Sequence, residues 1–240
     1  MTQQSELPKA ILFDVFGTVV DWRGSIIEEG EQVWRQRGLD VDWPAFADAW
    51  RGLYQPSMER IRSGEIGFVP LDVLHRSNLD QVLEQFGVAD FPDAERVELN
   101  RIWHRLKPWP DVVEGLTRLK SRFIIGTLSN GNIALMVNMA KNRGLPWDVI
   151  LGAEVSRQYK PHPQAYLGSA RALDLPPSQC MLTAAHNSDL EAARDTGYQG
   201  AFVCRPNEYG PDGQPDLEPS DSFEFKAKSF TDLADQLGCD

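Results

Sequence analysis

Short apolar runs alternate with longer amphipathic stretches along most of this chain. The first run, Lys9 to Gly17 (KAILFDVFG), stays largely apolar until Asp14 and then breaks at Gly17 and Thr18, the pattern of a buried strand entering a turn. Asp14 is thereby expected at the carboxyl end of that strand. Similar runs recur at 123–128 (FIIGTL), 149–152 (VILG), 180–184 (CMLTA) and 200–204 (GAFVC). Helical patterns separate them at 131–143, 162–173 and 187–197, with a last one at 229–237. Strands alternating with helices predict an α/β fold, a doubly wound, Rossmann-like parallel sheet covered on both faces. Right-handed crossovers then bring the strand ends to one rim.

Residues 22–108 read differently. The stretch has almost no β-like run but many helical patterns, broken at Gly38, Pro44, Pro56, Gly64, Pro70, Gly87 and Pro92. It is expected to form an inserted α-helical cap domain, leaving 1–21 and 109–240 as the core, with Pro108-Trp109-Pro110 as the return hinge. Five tryptophans in it, Trp22, Trp34, Trp43, Trp50 and Trp103, are expected to serve helix packing. The stretch 205–220 is rich in turn residues and is expected to be an exposed excursion.

With 42% hydrophobic and 25% charged residues among 240, the composition excludes a disordered chain. A net charge of −11 and a pI near 4.9 give no basic footprint for nucleic acid or an anionic membrane. An anion bound here must therefore be held by a local cluster of donors. Cys180, Cys204 and Cys239 are odd in number, widely spaced and without zinc-ligand spacing, which points to a reduced, cytoplasmic protein. No window approaches the ~20 consecutive apolar residues that would span a bilayer.

Ligands of open parallel sheets bind outside the carboxyl ends of the strands. On that rim the pattern places Asp14 with Thr18, Ser129 with Asn130, Lys160 ahead of a helix, and His186 to Asp189. A carboxylate ending an apolar strand needs a partner to offset its desolvation, and Lys160 is the obvious one. Two readings of that pair stand: an ion pair fixing the sheet rim, or a nucleophile kept ionised at neutral pH.

Four ordered segments carry a resemblance: Asp14-x-Phe16-Gly17-Thr18, Leu128-Ser129-Asn130-Gly131, Tyr159-Lys160-Pro161-x-Pro163-x-x-Tyr166, and a loop ending in Asp189. Together they resemble the haloacid dehalogenase superfamily, and within it the (S)-2-haloacid dehalogenases, over nearly the whole chain. One departure from the superfamily's phosphatases is informative. Those enzymes carry a second aspartate two positions after the nucleophile, where this chain has Phe16. A phenyl ring neither protonates an alkoxide nor joins an acidic shell for magnesium, whereas halide leaves without a proton.

The resemblance implies metal-free hydrolytic dehalogenation of short 2-haloacids, without a cofactor. Asp14 would attack the halogen-bearing carbon with inversion, leaving an aspartyl ester that water cleaves. Lys160 would keep Asp14 ionised, and Asp189 would position Lys160 and help activate the water. The substrate carboxylate would meet Ser129, Tyr166 and the N–H groups of Val15 and Phe16, while Thr18 helps to orient the network. Asn130 and the cap's Arg51 would receive the halide, with Arg23, Arg60 and Arg62 as competitors for the arginine's place. The resemblance also implies L-2-haloacids as substrates and a homodimer. Where better-known members have Ser-Ser-Asn before the last aspartate, this chain has Ala184-Ala185-His186. His186 either orients or deprotonates the hydrolytic water, or it only hydrogen-bonds Asp189 and closes the pocket. Two alternatives remain at this point, a magnesium-dependent phosphatase and a non-catalytic small-anion binding module.

Overall fold

Side chains on a central strand point alternately to the two faces of its sheet, and both faces here need covering. In strand β1 (Ala10–Phe13) every residue is buried: Ile11 and Phe13 join one hydrophobic cluster, Ala10 and Leu12 another on the opposite face. The computed structural model describes residues 6–38 and 40–240, apart from the side chains of 34–37. The side chain of Trp34 lies outside the described residues.

β1 pairs in parallel with β4 (Ile124–Ser129) and with β6 (Cys180–Ala184). With β5 (Val149–Gly152), β7 (Gln199–Val203) and β8 (Phe225–Ala227) they form a six-stranded parallel sheet of order β5-β4-β1-β6-β7-β8. Helices α6 (Val112–Lys120), α7 (Ile133–Arg143) and α11 (Phe230–Gln236) contribute to the Ile11–Phe13 cluster. Helices α9 (Pro163–Ala172) and α10 (Asn187–Arg194) contribute to the other. The short α8 (Ala153–Ser156) follows β5 directly. Gly152 at that junction has φ 133°, and a Cβ there would lie 2.0 Å from the Ser129 carbonyl oxygen, so only glycine lets β5 close against β4.

Between β1 and β4 the chain leaves the sheet. Strands β2 (Val20–Asp21) and β3 (Lys107–Pro108) pair antiparallel at the exit and return. The intervening helices are α1 (Trp22–Arg37), α2 (Trp43–Gly52), α3 (Tyr54–Arg62), α4 (Leu71–Gln85) and α5 (Asp93–Asn100), followed by a 3₁₀ turn over Arg101–Arg105. This helical segment rests on the sheet through polar contacts as well as apolar ones. Asp72 at the start of α4 accepts from His104 (2.9 Å) and from Asn132 Nδ2 (2.9 Å), and Asn138 of α7 donates to His104 Nδ1. Trp22, Trp50 and Trp103 are fully buried, as expected of packing residues. Among the described residues no helix is long and apolar enough to cross a membrane.

The 205–220 stretch departs from expectation at its start. Arg205 and Glu208 are buried, because each neutralises charge or polarity inside the fold. Arg205 donates from Nε to the Thr18 carbonyl (2.8 Å) and bidentately to Asp111 (2.8 and 3.0 Å), whose Oδ2 also accepts from Phe230 N–H. This fork ties the turn after β1 to the start of α6 and of α11. Replacing it by Arg205→Met leaves a half-buried carboxylate and the Thr18 carbonyl short of donors, so urea unfolding is expected to show a loss of about 2–3 kcal/mol.

Candidate active site

In the sheet register Phe13 stands level with Thr127 of β4 and Thr183 of β6, so Asp14 is the first residue past the end of β1, beside neighbours that run on to Ser129 and Ala184. Its N–H still donates to the Thr183 carbonyl (3.0 Å), which fixes the backbone from which the carboxylate projects. The turn that follows uses the N–H groups of Gly17, Val19 and Val20 in its own hydrogen bonds, but not those of Val15 and Phe16.

Every oxygen of Asp14 is engaged. Oδ1 accepts from Lys160 Nζ (2.8 Å), and Oδ2 accepts from Thr18 Oγ1 (2.8 Å) and lies 3.3 Å from His186 Nδ1. Thr18 is itself oriented by the Ala185 N–H, which donates to its hydroxyl (2.9 Å). Lys160 sits in the loop between α8 and α9, where its N–H donates to Asn130 Oδ1 (2.8 Å). Its ammonium also reaches Asp189 Oδ2 (2.5 Å), and Tyr166 OH donates to Asp189 Oδ1 (2.7 Å). Burial by itself would raise the Asp14 carboxyl. The Lys160 charge and the His186 hydrogen bond outweigh it and hold the group far below the usual carboxylate range. Burial would likewise lower Lys160, yet the two carboxylates on either side push it upward, so it stays an ammonium.

His186 precedes α10 at the N-cap position, but its side chain makes no cap bond. The helix is capped instead by Asp216, which accepts from Asn187 N–H (2.7 Å), and this leaves the imidazole free to turn inward. Its Nε2 lies 2.9 and 3.1 Å from the two carboxylate oxygens of Glu208. Both ring nitrogens therefore face carboxylate oxygens, and both donate. Burial alone would lower the ring, but its hydrogen bonds to Asp14 and Glu208 push it up to about 10. An imidazolium has no lone pair with which to take a proton from water, so the base role considered for His186 gives way to a cationic one. Its partners are Asp14 and Glu208 rather than Asp189.

A cavity of about 520 Å³ opens over this cluster, lined by Asp14, Phe16, Arg51, Tyr54, Asn130, Lys160, His186 and Asp189 among others. Arg51 of α2 lies with its guanidinium 4.0 Å above the Tyr54 ring and 5.3 Å from that of Trp22, and its Nη1 is buried without a hydrogen-bond partner. Of its sequence competitors, Arg23 is paired with Asp48 and Arg60 with Glu65, both away from the cavity. Arg62 lines the cavity, but its donors are spent on Gln55, Glu59 and the Lys160 carbonyl. Phe16 turns its ring into the helical segment, edge-on to Trp103 (5.5 Å between centroids, 89°).

Three expected substrate contacts are not on the cavity wall. Val15 and Ser129 are fully buried, and Ser129 Oγ accepts the Gly131 N–H (3.0 Å). Tyr166 spends its hydroxyl on Asp189 and so belongs to the charge network rather than to a substrate contact. Glu208 was missed by the sequence reading. Its only trace there is Gly17, with φ 89°, where a Cβ would lie 2.0 Å from Glu208 Oε1.

A model of the family described as haloacid dehalogenase-like hydrolase matches residues 8–197. A crystal structure of a defluorinating L-2-haloacid dehalogenase is 52% identical, with a TM-score of 0.94, over 97% of this chain and 96% of that one. Another L-2-haloacid dehalogenase structure is 45% identical, with a TM-score of 0.91, covering 96% of this chain and 99% of the other. The (S)-2-haloacid dehalogenase of Xanthobacter autotrophicus is 26% identical over 215 residues, 82% of this chain and 75% of the relative. By sheet topology, rim chemistry and these matches, the chain belongs to the haloacid dehalogenase-like hydrolases.

Proposed function

We propose that this chain hydrolyses short L-2-haloacids and haloacetates to 2-hydroxyacids and halide through an ester on Asp14. The observation that carries this reading is an ionised Asp14 on the cavity wall whose neighbours are cations and a phenyl ring. Lys160 and His186 occupy the surroundings of its carboxylate, which is where a magnesium ion would need further anionic oxygens. A divalent cation there would meet two positive charges. The same cations suit a carboxylate that must stay ionised to attack carbon.

Residues 22–108 act as a cap that supplies Arg51 to the far side of the cavity. Halide departing from the carbon carries developing charge, and Arg51, a lining residue whose Nη1 has no hydrogen-bond partner, is the donor offered to it. Asn130 Oδ1 is committed to the Lys160 N–H, which leaves its Nδ2 as the group offered to the halide. The N–H of Phe16, unspent in the turn and on the cavity wall, is offered to the substrate carboxylate. Ser129, off the cavity surface, supports that wall through Gly131. Fluoroacetate belongs among the substrates, because fluoride needs dense donors and because a 52% identical relative is described as defluorinating.

Halide release from chloroacetate, fluoroacetate and each enantiomer of 2-chloropropionate tests the reading, with para-nitrophenyl phosphate plus magnesium as the contrast. Release from the L-enantiomer and the haloacetates is expected to survive excess EDTA and to vanish in Asp14→Asn. Phosphate release that depends on magnesium, without any halide, would overturn it. In a separate series Arg51→Leu is expected to lower the rate of halide release by about 10²-fold or more, as loss of a donor to developing charge does. A rate unchanged in that variant would move the leaving-group site elsewhere.

A further inference from the structure

Glu208 is a carboxylate 1% exposed, outside the four segments that carry the resemblance, and turned towards the catalytic centre. Both its oxygens face His186 Nε2, and Trp22 Nε1 donates to Oε1 at 3.4 Å. The backbone accommodates it at a cost in sequence freedom, since any residue but glycine at 17 would strike its carboxylate. A buried charge that requires this much provision needs a task.

The lone pairs of Asp14 indicate which oxygen reacts. Oδ2 is approached by two donors, Thr18 and His186, whereas Oδ1 is approached by Lys160 alone. A carboxylate oxygen offers about two acceptor positions, so the free one is on Oδ1. Oδ1 then forms the bond to carbon as halide leaves with the electron pair, and Oδ2 becomes the ester carbonyl oxygen. At that moment Asp14 loses its charge, and His186 loses one of its two anionic partners. Only Glu208 is left to keep the ring positive.

Resting on the dehalogenase reading above, we infer that Glu208 is a positioning residue that holds His186 as a cation throughout the ester state, so that His186 stabilises the oxyanion formed at Asp14 Oδ2 when water attacks. In that step water oxygen bonds to Asp14 Cγ, one water proton passes to Asp189, and the carbonyl π pair moves to Oδ2. Collapse then breaks the Cγ–Oδ1 bond, the hydroxyacid oxygen takes the proton back from Asp189, and Asp14 returns as a carboxyl that loses its proton to solvent. His186 keeps its proton throughout. Its work is electrostatic, aimed at charge that develops only in the second half-reaction.

The groups facing His186 come from several elements: Asp14 from the turn after β1, Glu208 from the loop after β7, with Lys160 and Asp189 beyond Asp14. Asp21 and Tyr209 lie around Glu208, and Arg51 faces the same cavity from α2. With Asp14 esterified, the anions left beside the ring are Glu208 directly and Asp189 behind Lys160.

Rapid-quench kinetics with chloroacetate tests this, reading halide by one channel and the covalent ester by intact mass. In Glu208→Gln the halide burst is expected to slow by no more than a few-fold, while steady-state turnover near pH 8 falls about 10–100-fold and the ester accumulates. The alkaline limb of kcat is expected to move down towards the ordinary imidazole range, about 6.5, and Glu208→Asp to restore part of both. A merely structural Glu208 would lower burst and turnover together and leave the limb in place, and that result would overturn the inference. Should the variants fail to fold, the nitrogen-15 shifts of His186 in the wild type decide: an imidazolium at pH 8 supports the inference and a neutral ring overturns it. A wild type that releases no halide from any haloacid would instead sink the dehalogenase reading itself.

Discussion

A lysine ammonium held between two carboxylates, Lys160 between Asp14 and Asp189, is the interaction on which the rim of the sheet depends. All three side chains lie at most 12% exposed, and such charges are tolerated inside a protein only when each is paired and its remaining lone pairs are satisfied. The surrounding structure meets that demand one group at a time. Thr18 takes a lone pair of Asp14, Tyr166 one of Asp189, and Asn130 fixes the Lys160 backbone. Each of these comes from a different strand end or helix, so the charge cluster and the parallel sheet specify one another.

His186 and Glu208 extend the same balance. Around Asp14 the cluster contains three carboxylates, one ammonium and one imidazolium, and Arg51 supplies a further cation across the cavity. An anionic substrate therefore enters a site whose local field differs from that of the molecule as a whole, which carries a net charge of −11. The cluster also changes charge during the reaction, because ester formation removes the charge of Asp14 while leaving those of Lys160 and His186. The loss of that one negative charge beside both cations is what favours a tetrahedral oxyanion at the same carbon.

Phe16 connects this chemistry to the helical segment. Its ring meets Trp103 edge-on and faces Tyr54 and His75, so that the cavity wall at Phe16 is backed by a cluster of buried aromatic side chains. His75, stacked on Trp103 at 4.1 Å, is pushed down to about 3 chiefly by burial, which the more distant Asp72 charge does not offset, and so is neutral. The contrast with His186 is instructive: two buried imidazoles in one molecule carry opposite charge states, decided by whether a carboxylate is within reach.

The sequence by itself determined the elements whose signal is local. Apolar runs with a period suited to strands marked β1, β4, β5, β6 and β7 within a residue or two, and the helices between them implied the parallel sheet and its common rim. Asp14, Thr18, Asn130, Lys160 and Asp189 were legible because they follow such runs on the common rim, and the resemblance added Arg51 and the roles. Tertiary structure decided the rest. β8 is three residues with an exposed lysine in the middle, and it is a strand only because β7 offers an edge. Helix α6 begins with two β-branched residues and contains a glycine, and packing of its buried face against the sheet and Phe230 settles its conformation. Glu208 sits in a stretch whose composition reads as exposed turn, and nothing within that stretch says that its carboxylate folds back 22 residues to His186. Local patterns report which face of an element is buried. Which charges meet across elements depends on contacts that no window of sequence contains.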